Sequence, residues 1–427
     1  MALFIMLLNL IGVLAAFIFI IYFIRKKFNF GLSLFIGSII LSIFSLESTR
    51  PIEIIYKIID VSIYSIDSNE FYTETLELAI LMTLIFVLAK TMQETKAINK
   101  LIYSLRTIFE KGGILGILPA IYGLMPVPGG ALFSAPMIDE EGETYKLNNI
   151  QKNFLNVWFR HIWFSIFPIS SAMILICSTE FSNIDIYLLI MVNLPAFIAS
   201  IIIGYYYLKN FIKNRENISS KKKRDYSGLI FLLPPTLPII FYIFLQIIDF
   251  PQIRSFLIGI IFSLIILYIL LNIKLNDYIN IIKNSLTLKM IYAIFGIIIF
   301  RGIFELSGAS NNIAEVIMNF PFPPIILIIF IPMILGILTG YNLGAVALSY
   351  PLVEPFFQFT GINIIGLTSI IFISSLVGYL ISPIHLCNVL SSEFLRTDTT
   401  SMYRMYIPSS FFILIVQLIF VILLFRF

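Results

Sequence analysis

Apolar runs of about 20 residues recur between residues 3 and 425 of this chain and carry almost no charge. Such runs match a bilayer core roughly 30 Å thick. In hydrocarbon every backbone N–H and C=O must be satisfied within the fold, so a spanning segment is a helix or part of a closed barrel. The alternating ten-residue segments of a barrel are absent. Composition agrees: 59% of the 427 residues are hydrophobic and 12% are charged, whereas soluble domains carry roughly 25% charged residues. The chain reads as an all-α polytopic membrane protein with the lipid bilayer as its solvent. No basic patch with interleaved aromatics lies outside the loops, so nucleic acid is not an expected partner.

Ten full spans are expected at about 3–24, 30–46, 75–92, 152–177, 184–208, 228–248, 254–273, 288–306, 363–391 and 406–425. Two further apolar segments, near 113–140 and 322–357, are interrupted by proline and glycine. Their arms are too short to cross, so re-entrant helical hairpins are expected there. The basic residues alternate between loops. Arg25-Lys26-Lys27, then Lys90 to Lys111, then Lys209 to Arg224 mark the cytoplasmic side, while the loop 47–74 is net acidic and external. Arg25, the first charge, follows the first apolar run, so the opening helix is expected to be retained with its N-terminus outside. Asn217-Ile218-Ser219 then falls on the cytoplasmic side, where a glycosylation match is fortuitous.

Two halves are legible. Residues 209–226 form a basic cytoplasmic linker between a first repeat, 1–208, and a second, 227–427. A shift of 215 residues carries GGALFSAPMID (129–139) onto GAVALSYPLVE (344–354), matching Gly129, Ser134, Pro136 and Asp139 to Gly344, Ser349, Pro351 and Glu354. The same shift carries Pro168-Ile169 onto Pro383-Ile384. The topology inverts the second half, so each half is expected to hold five transmembrane helices and one hairpin. Inverted repeats with interrupted helices are the signature of a secondary transporter.

The interruptions carry the expected chemistry. At the first tip Pro126, Pro128, Gly129 and Gly130 break the helix, and the arm that follows aims its positive dipole end at mid-membrane, ready for a carboxylate. The second tip is Thr339-Gly340-Tyr341-Asn342. Two broken helices, 152–177 and 363–391, follow the hairpins and bring Ser170, Ser171, Ser382, His385 and Asn388 beside their prolines. These groups are candidates for holding a substrate or a coupling cation; the alternative is a plain proline kink. Arg160 either attracts an anion or snorkels to the interface. His161 and His385 either carry a proton or pack. Arg301 is expected to snorkel, and Asp139, Glu140 and Glu141 to form a solvated edge. Cys177 and Cys387 have no metal-ligand or disulfide spacing and read as core residues. Segments 95–111 and 309–320 are amphipathic, either interfacial arm helices or loops.

At MPVPGGALFSAP, FRHIW, FPISS and SPIHLC the chain resembles the domain-of-unknown-function 401 family of prokaryotic membrane proteins. That family is placed in the ion-transporter superfamily with divalent-anion/sodium symporters, gluconate permeases and the large membrane subunits of TRAP transporters. The resemblance covers essentially the whole chain. It implies a homodimer in the prokaryotic inner membrane, with a scaffold domain and a transport domain moving as an elevator. It also implies a site between the tips Pro128-Gly129-Gly130 and Thr339 to Asn342 and the breaks Phe167 to Ser171 and Ser382 to His385. The chain departs from the divalent-anion/sodium symporters in lacking their Ser-Asn-Thr signature at either tip.

The expected function is secondary active transport of a small organic anion, a carboxylate, coupled to Na⁺ or H⁺. Substrate candidates are Pro128, Gly129, Gly130, Ser134, Ser170, Ser171, Thr339, Gly340, Asn342, Ser382 and His385. Ion-coupling candidates are Gly129, Ser170, Asn342, Ser382, His161 and His385, with Arg160 as the electrostatic aid. No cofactor is expected, nor any metal beyond a coupling Na⁺. A passive channel or a ligand sensor is the alternative. An intramembrane enzyme ranks below both, since G-x-S-x-G, H-E-x-x-H and paired intramembrane aspartates are missing.

Overall fold

The computed structural model describes residues 2–65, 69–71, 73–109, 112–124, 130–212, 223–318 and 323–426. Among these the chain is an all-α membrane protein, apart from one antiparallel pair of two-residue strands, Tyr64–Ser65 and Glu70–Phe71. Seven helical segments are long and apolar enough to cross a bilayer: Phe4–Arg25, Glu74–Glu94, Ile186–Ile212, Ser227–Gln246, Gln252–Leu270, Leu275–Leu306 and Thr400–Leu424. Phe30–Phe44, with 15 residues, is shorter.

Two of the ten expected spans are not continuous. Segment 152–177 divides into Asn149–His161, a 3-10 turn at Ile162–Ser165 and the seven-residue helix Ser171–Cys177. Segment 363–391 divides into Ile364–Leu380 and Leu386–Phe394. Pro168 and Pro383 sit in the gaps, so they end helices rather than kink them. The first hairpin is Ile114–Gly123 followed by Ala131–Thr144, and the second is Pro324–Thr339 followed by Asn342–Val353. Their arms span about 15–24 Å at 1.5 Å per residue, less than the roughly 30 Å core. Within each pair the two arms pack on each other. The tip residues Pro126, Pro128 and Gly129 lie outside the described residues, as do 213–222 of the linker, with the sequon 217–219 among them.

Lipid is as apolar as leucine, so helices here associate through close backbone approach and buried polar contacts. Glycines permit the approach. A Cβ on Gly31 would fall 2.1 Å from the Tyr292 carbonyl, and one on Gly259 2.4 Å from Pro238 Cα. The hairpins use the same device against the broken helices. A Cβ on Gly123 would stand 2.0 Å from Arg160 O, and one on Gly378 2.0 Å from Met333 O.

Buried side-chain amides supply the polar contacts. Gln417 Nε2 donates to Val192 O and to Ser369 Oγ, both at 2.8 Å, and Asn193 Nδ2 donates to Ser165 O at 2.9 Å. Three long helices are thereby tied to the first break. Asn156 Nδ2 donates to Ala131 O at 2.9 Å and Ser391 Oγ at 2.8 Å, joining the first hairpin to both broken helices.

The segments left open as arms or loops are helical: Ala97–Ile108 and Ala309–Met318. The far end of the linker docks on the first of them, where Asp225 N donates to Thr107 Oγ1 at 2.8 Å. The loop 47–74 contains an amphipathic helix, Pro51–Ser62, which the sequence reading missed because it buries only its last turn.

The acidic edge after the first hairpin is not simply solvated. Asp139 pairs with Lys152 at 2.7 Å, Glu143 also pairs with Lys152, and Glu140 and Glu141 pair with Arg106 at 2.8 and 2.9 Å. Lys152 is fully buried, so its ammonium needs these partners. Arg301 does not snorkel either. It pairs with Glu305 at 2.7 Å and Glu354 at 3.2 Å, and its guanidinium lies over the Phe181 ring at 4.9 Å. Asp139 and Glu354, matched by the 215-residue shift, thus each neutralise a buried or half-buried base.

Candidate functional site

The gaps in the two broken helices meet the second tip around a cavity of about 290 Å³. Each surrounding element contributes the residues at a helix start. The first broken helix supplies Ser170-Ser171-Ala172, the second supplies His385-Leu386-Cys387, and the second hairpin supplies Tyr341-Asn342-Leu343. First-turn N–H groups have no intrahelical acceptor and carry the positive end of the helix dipole. Phe164, Phe167, Tyr379 and Met290 complete the walls.

Arg160 lines this cavity and is 2% exposed. Its Nη1 donates to Tyr122 O at 2.7 Å, at the end of the first hairpin's leading arm. Gly130 caps the returning arm, and a Cβ there would lie 2.0 Å from Arg160 Nη2. The guanidinium therefore occupies the place a side chain at Gly130 would take. Held between the two arms of the first hairpin, Arg160 is a buried cation beside a cavity rather than a snorkelling one.

His385 is 1% exposed, and neither ring nitrogen has a hydrogen-bond partner among the described residues. Its ring packs on Tyr379 at 3.9 Å and edge-on to His161 at 4.7 Å between centroids. His161 stands behind it and does not line the cavity. Its Nδ1 lies 2.6 Å from Val157 O, and its Nε2 lies 3.4 Å from the Tyr379 hydroxyl. With Nδ1 donating to that carbonyl, Nε2 is left as the acceptor for the hydroxyl.

The fold brings some candidates together and not others. Ser170, Ser171, Gly340, Asn342, His385 and Arg160 line the cavity. Ser170 Oγ also caps its helix, accepting from Met173 N at 3.3 Å, and Asn342 Oδ1 accepts from Ser375 Oγ at 3.3 Å. Gly340 takes the left-handed conformation, φ 59°, that closes the second tip. Besides His161, four described candidates are not in its lining: Gly130, which lies against the Arg160 guanidinium, and three whose hydroxyls are taken by backbone or buried partners. Ser134 Oγ donates to Asn156 Oδ1 in the interior. Thr339 Oγ1 donates to Leu335 O at 2.7 Å, and Ser382 Oγ donates to Ile337 O at 2.7 Å. Pro128 and Gly129 lie outside the described residues.

The sequence reading missed Phe164, Tyr379, Met290 and Cys387. No local signal marks them, since each is an apolar or aromatic residue in an apolar helix. Cys387 has a second neighbourhood: its sulfur and one nitrogen each of His161 and His385 lie within 4.8 Å of one another, a grouping hidden in a sequence separation of more than 200 residues. Three such donors suit a soft or borderline metal ion. His385 and Cys387 line the cavity, and His161 lies behind them.

No curated protein matches this sequence. The family model described as "Protein of unknown function (DUF401)" matches residues 7–425, nearly the whole chain, and the protein belongs to that family.

Proposed function

We propose that the protein is a secondary active transporter of a small organic anion, a carboxylate, driven by Na⁺ or H⁺. One observation carries the reading: Arg160 and the first turns of helices Asn342–Val353 and Leu386–Phe394 converge on a single buried cavity. Fixed N–H dipoles and a desolvated guanidinium favour an anion. Interrupted helices with their starts at a membrane-embedded site are the transporter form of that arrangement.

In this reading residues 1–208 and 227–427 are inverted repeats joined by the linker 209–226. The positions matched by the 215-residue shift support it, since Pro136 and Pro351 fall inside the returning arms and Pro168 and Pro383 in the gaps. The hairpins and broken helices form a transport domain. Helix Leu288–Leu306, which reaches the cavity through Met290, belongs to a scaffold that pairs two copies of the chain as a homodimer. The protein sits in the prokaryotic inner membrane with its N-terminus outside, a member of the ion-transporter superfamily, moving as an elevator. Ser170, Asn342 and His385 are the surviving ion-coupling candidates at the cavity.

The test is uptake into proteoliposomes under imposed Na⁺ or pH gradients with a panel of labelled organic acids. Gradient-dependent accumulation of at least one acid, abolished by Arg160→Gln, is expected. Flux that only runs downhill would replace this reading with a channel, and binding without flux would replace it with a sensor.

A further inference from the structure

We infer that the cavity selects a monocarboxylate with an apolar or aromatic body over dicarboxylates, tricarboxylates and sugar acids. This rests on the anion-transport reading and narrows it.

Charge sets the first limit. Among the described residues that line the cavity, Arg160 is the one formally charged side chain. One buried guanidinium balances one carboxylate. A second carboxylate in the same space would be desolvated without a counter-charge, which is among the costliest things a binding site can do.

Hydrogen bonding sets the second. His385 is nearly fully buried at the wall, with both ring nitrogens unpartnered among the described residues. Neither nitrogen is exposed to the cavity, and the ring packs on Tyr379 and His161. At Asn342, Ser375 occupies the amide oxygen and leaves the amide nitrogen as the donor. Guanidinium, amide N–H and first-turn backbone N–H groups form a donor set for one anionic head group.

Shape sets the third. Much of the remaining lining is apolar or aromatic: Phe164, Phe167, Tyr341, Tyr379, Met290 and Leu343. Apolar contact area there favours a hydrocarbon body, and a polyhydroxylated chain would bury hydroxyls with too few partners. The cavity, about 290 Å³, is at the small end for ligand sites and holds roughly ten waters at about 30 Å³ each. A ring or branched chain of phenylacetate or isovalerate size suits it.

Binding to the full-length protein in detergent is the appropriate readout, because the neutral forms of lipophilic acids cross bilayers unaided. Thermal shift and calorimetry with phenylacetate, isovalerate, succinate, citrate, gluconate and uncharged phenylacetamide test the assignment. Phenylacetate or isovalerate is expected to bind at least about 10-fold more tightly than succinate, citrate, gluconate or the amide. Phe164→Ala, which enlarges the apolar wall, is expected to shift preference toward 3-phenylpropanoate. Equal or tighter binding of succinate, citrate or gluconate overturns the monocarboxylate assignment and leaves organic-anion transport standing. Equal binding of the amide overturns the anionic head group. Failure of every acid to bind overturns both readings, whereas tight phenylacetate binding with no gradient-driven accumulation of any acid overturns transport alone.

Discussion

The two hairpins are alike in how they pack and unlike in what they present. Each returning arm contains an internal proline, Pro136 or Pro351, and each hairpin meets its broken helix through a glycine contact with no room for a methyl group. Their tips differ. The first closes on a charged group, with Gly130 against the Arg160 guanidinium. The second closes on neutral groups, with left-handed Gly340 against Ile384 and Tyr341 edge-on to Phe30 at 5.5 Å. A shared scaffold with unequal tips makes the first hairpin the holder of the one formal charge among the described lining residues, which in the proposed function meets the anion. The second hairpin supplies dipoles and walls.

The most severe test of the shared packing is a methyl group at the contact glycines. Gly123→Ala and Gly378→Ala each drive a Cβ to 2.0 Å from a backbone oxygen that cannot swing away. Each is expected to cost about 3 kcal/mol, seen as a lower melting temperature in detergent and reduced yield. If one variant melts like wild type, the hairpins do not share this contact.

The asymmetry of the tips is tested by anion affinity. Arg160→Gln removes a charge-assisted interaction of about 1.5–3 kcal/mol, so the dissociation constant is expected to rise roughly 10- to 100-fold. Asn342→Ala removes a neutral hydrogen bond of about 1 kcal/mol, roughly a five-fold loss. Equal losses from the two variants would break the comparison drawn here.

Glycine substitutions at the tips sharpen it further. Gly340→Ala forces a Cβ into the left-handed region at φ 59° and is expected to cost about 1–2 kcal/mol of stability. Gly130 has an ordinary φ of −58°, so alanine there is not strained by backbone and acts by pushing the guanidinium aside. Gly130→Ala is expected to weaken anion binding more than it lowers the melting temperature, and Gly340→Ala to do the reverse.

The smallest effect belongs to the ion pair between the first returning arm and the helix that follows it. Asp139 is 45% exposed at its side chain and shares Lys152 with Glu143. Asp139→Asn is expected to cost less than about 1 kcal/mol, a difference that shrinks in high salt. A loss above 2 kcal/mol would show that Glu143 does not by itself neutralise the buried ammonium.

Much of this arrangement is legible in the sequence because it follows from local rules. Apolar runs long enough to cross hydrocarbon must be helices, and prolines flanked by glycine or serine must interrupt them. The hairpins at 113–140 and 322–357, and the breaks at Pro168 and Pro383, need no distant contact to be recognised. The depth of the breaks was less legible. Proline marks where a helix bond is lost, and whether the chain then kinks or ends depends on what receives the freed groups. At the first break Asn193 Nδ2, from helix Ile186–Ile212, donates to Ser165 O.

What the sequence by itself determined is the solvent of this protein, the positions of its interruptions and the residue types beside them. Only the tertiary structure decided which of those side chains face the cavity. Ser134, Thr339 and Ser382 carry the same hydroxyl as Ser170 and Ser171, yet their hydrogen bonds are spent within the packed interior. Arg160 reads as readily for an interfacial cation as for a buried one until the first hairpin folds over it. The physical reason is one of range. Backbone satisfaction and bilayer length act over a few turns of one helix, whereas the direction and burial of a side chain are fixed by partners that in this fold can stand more than 200 residues away, as Tyr379 and His385 do from His161.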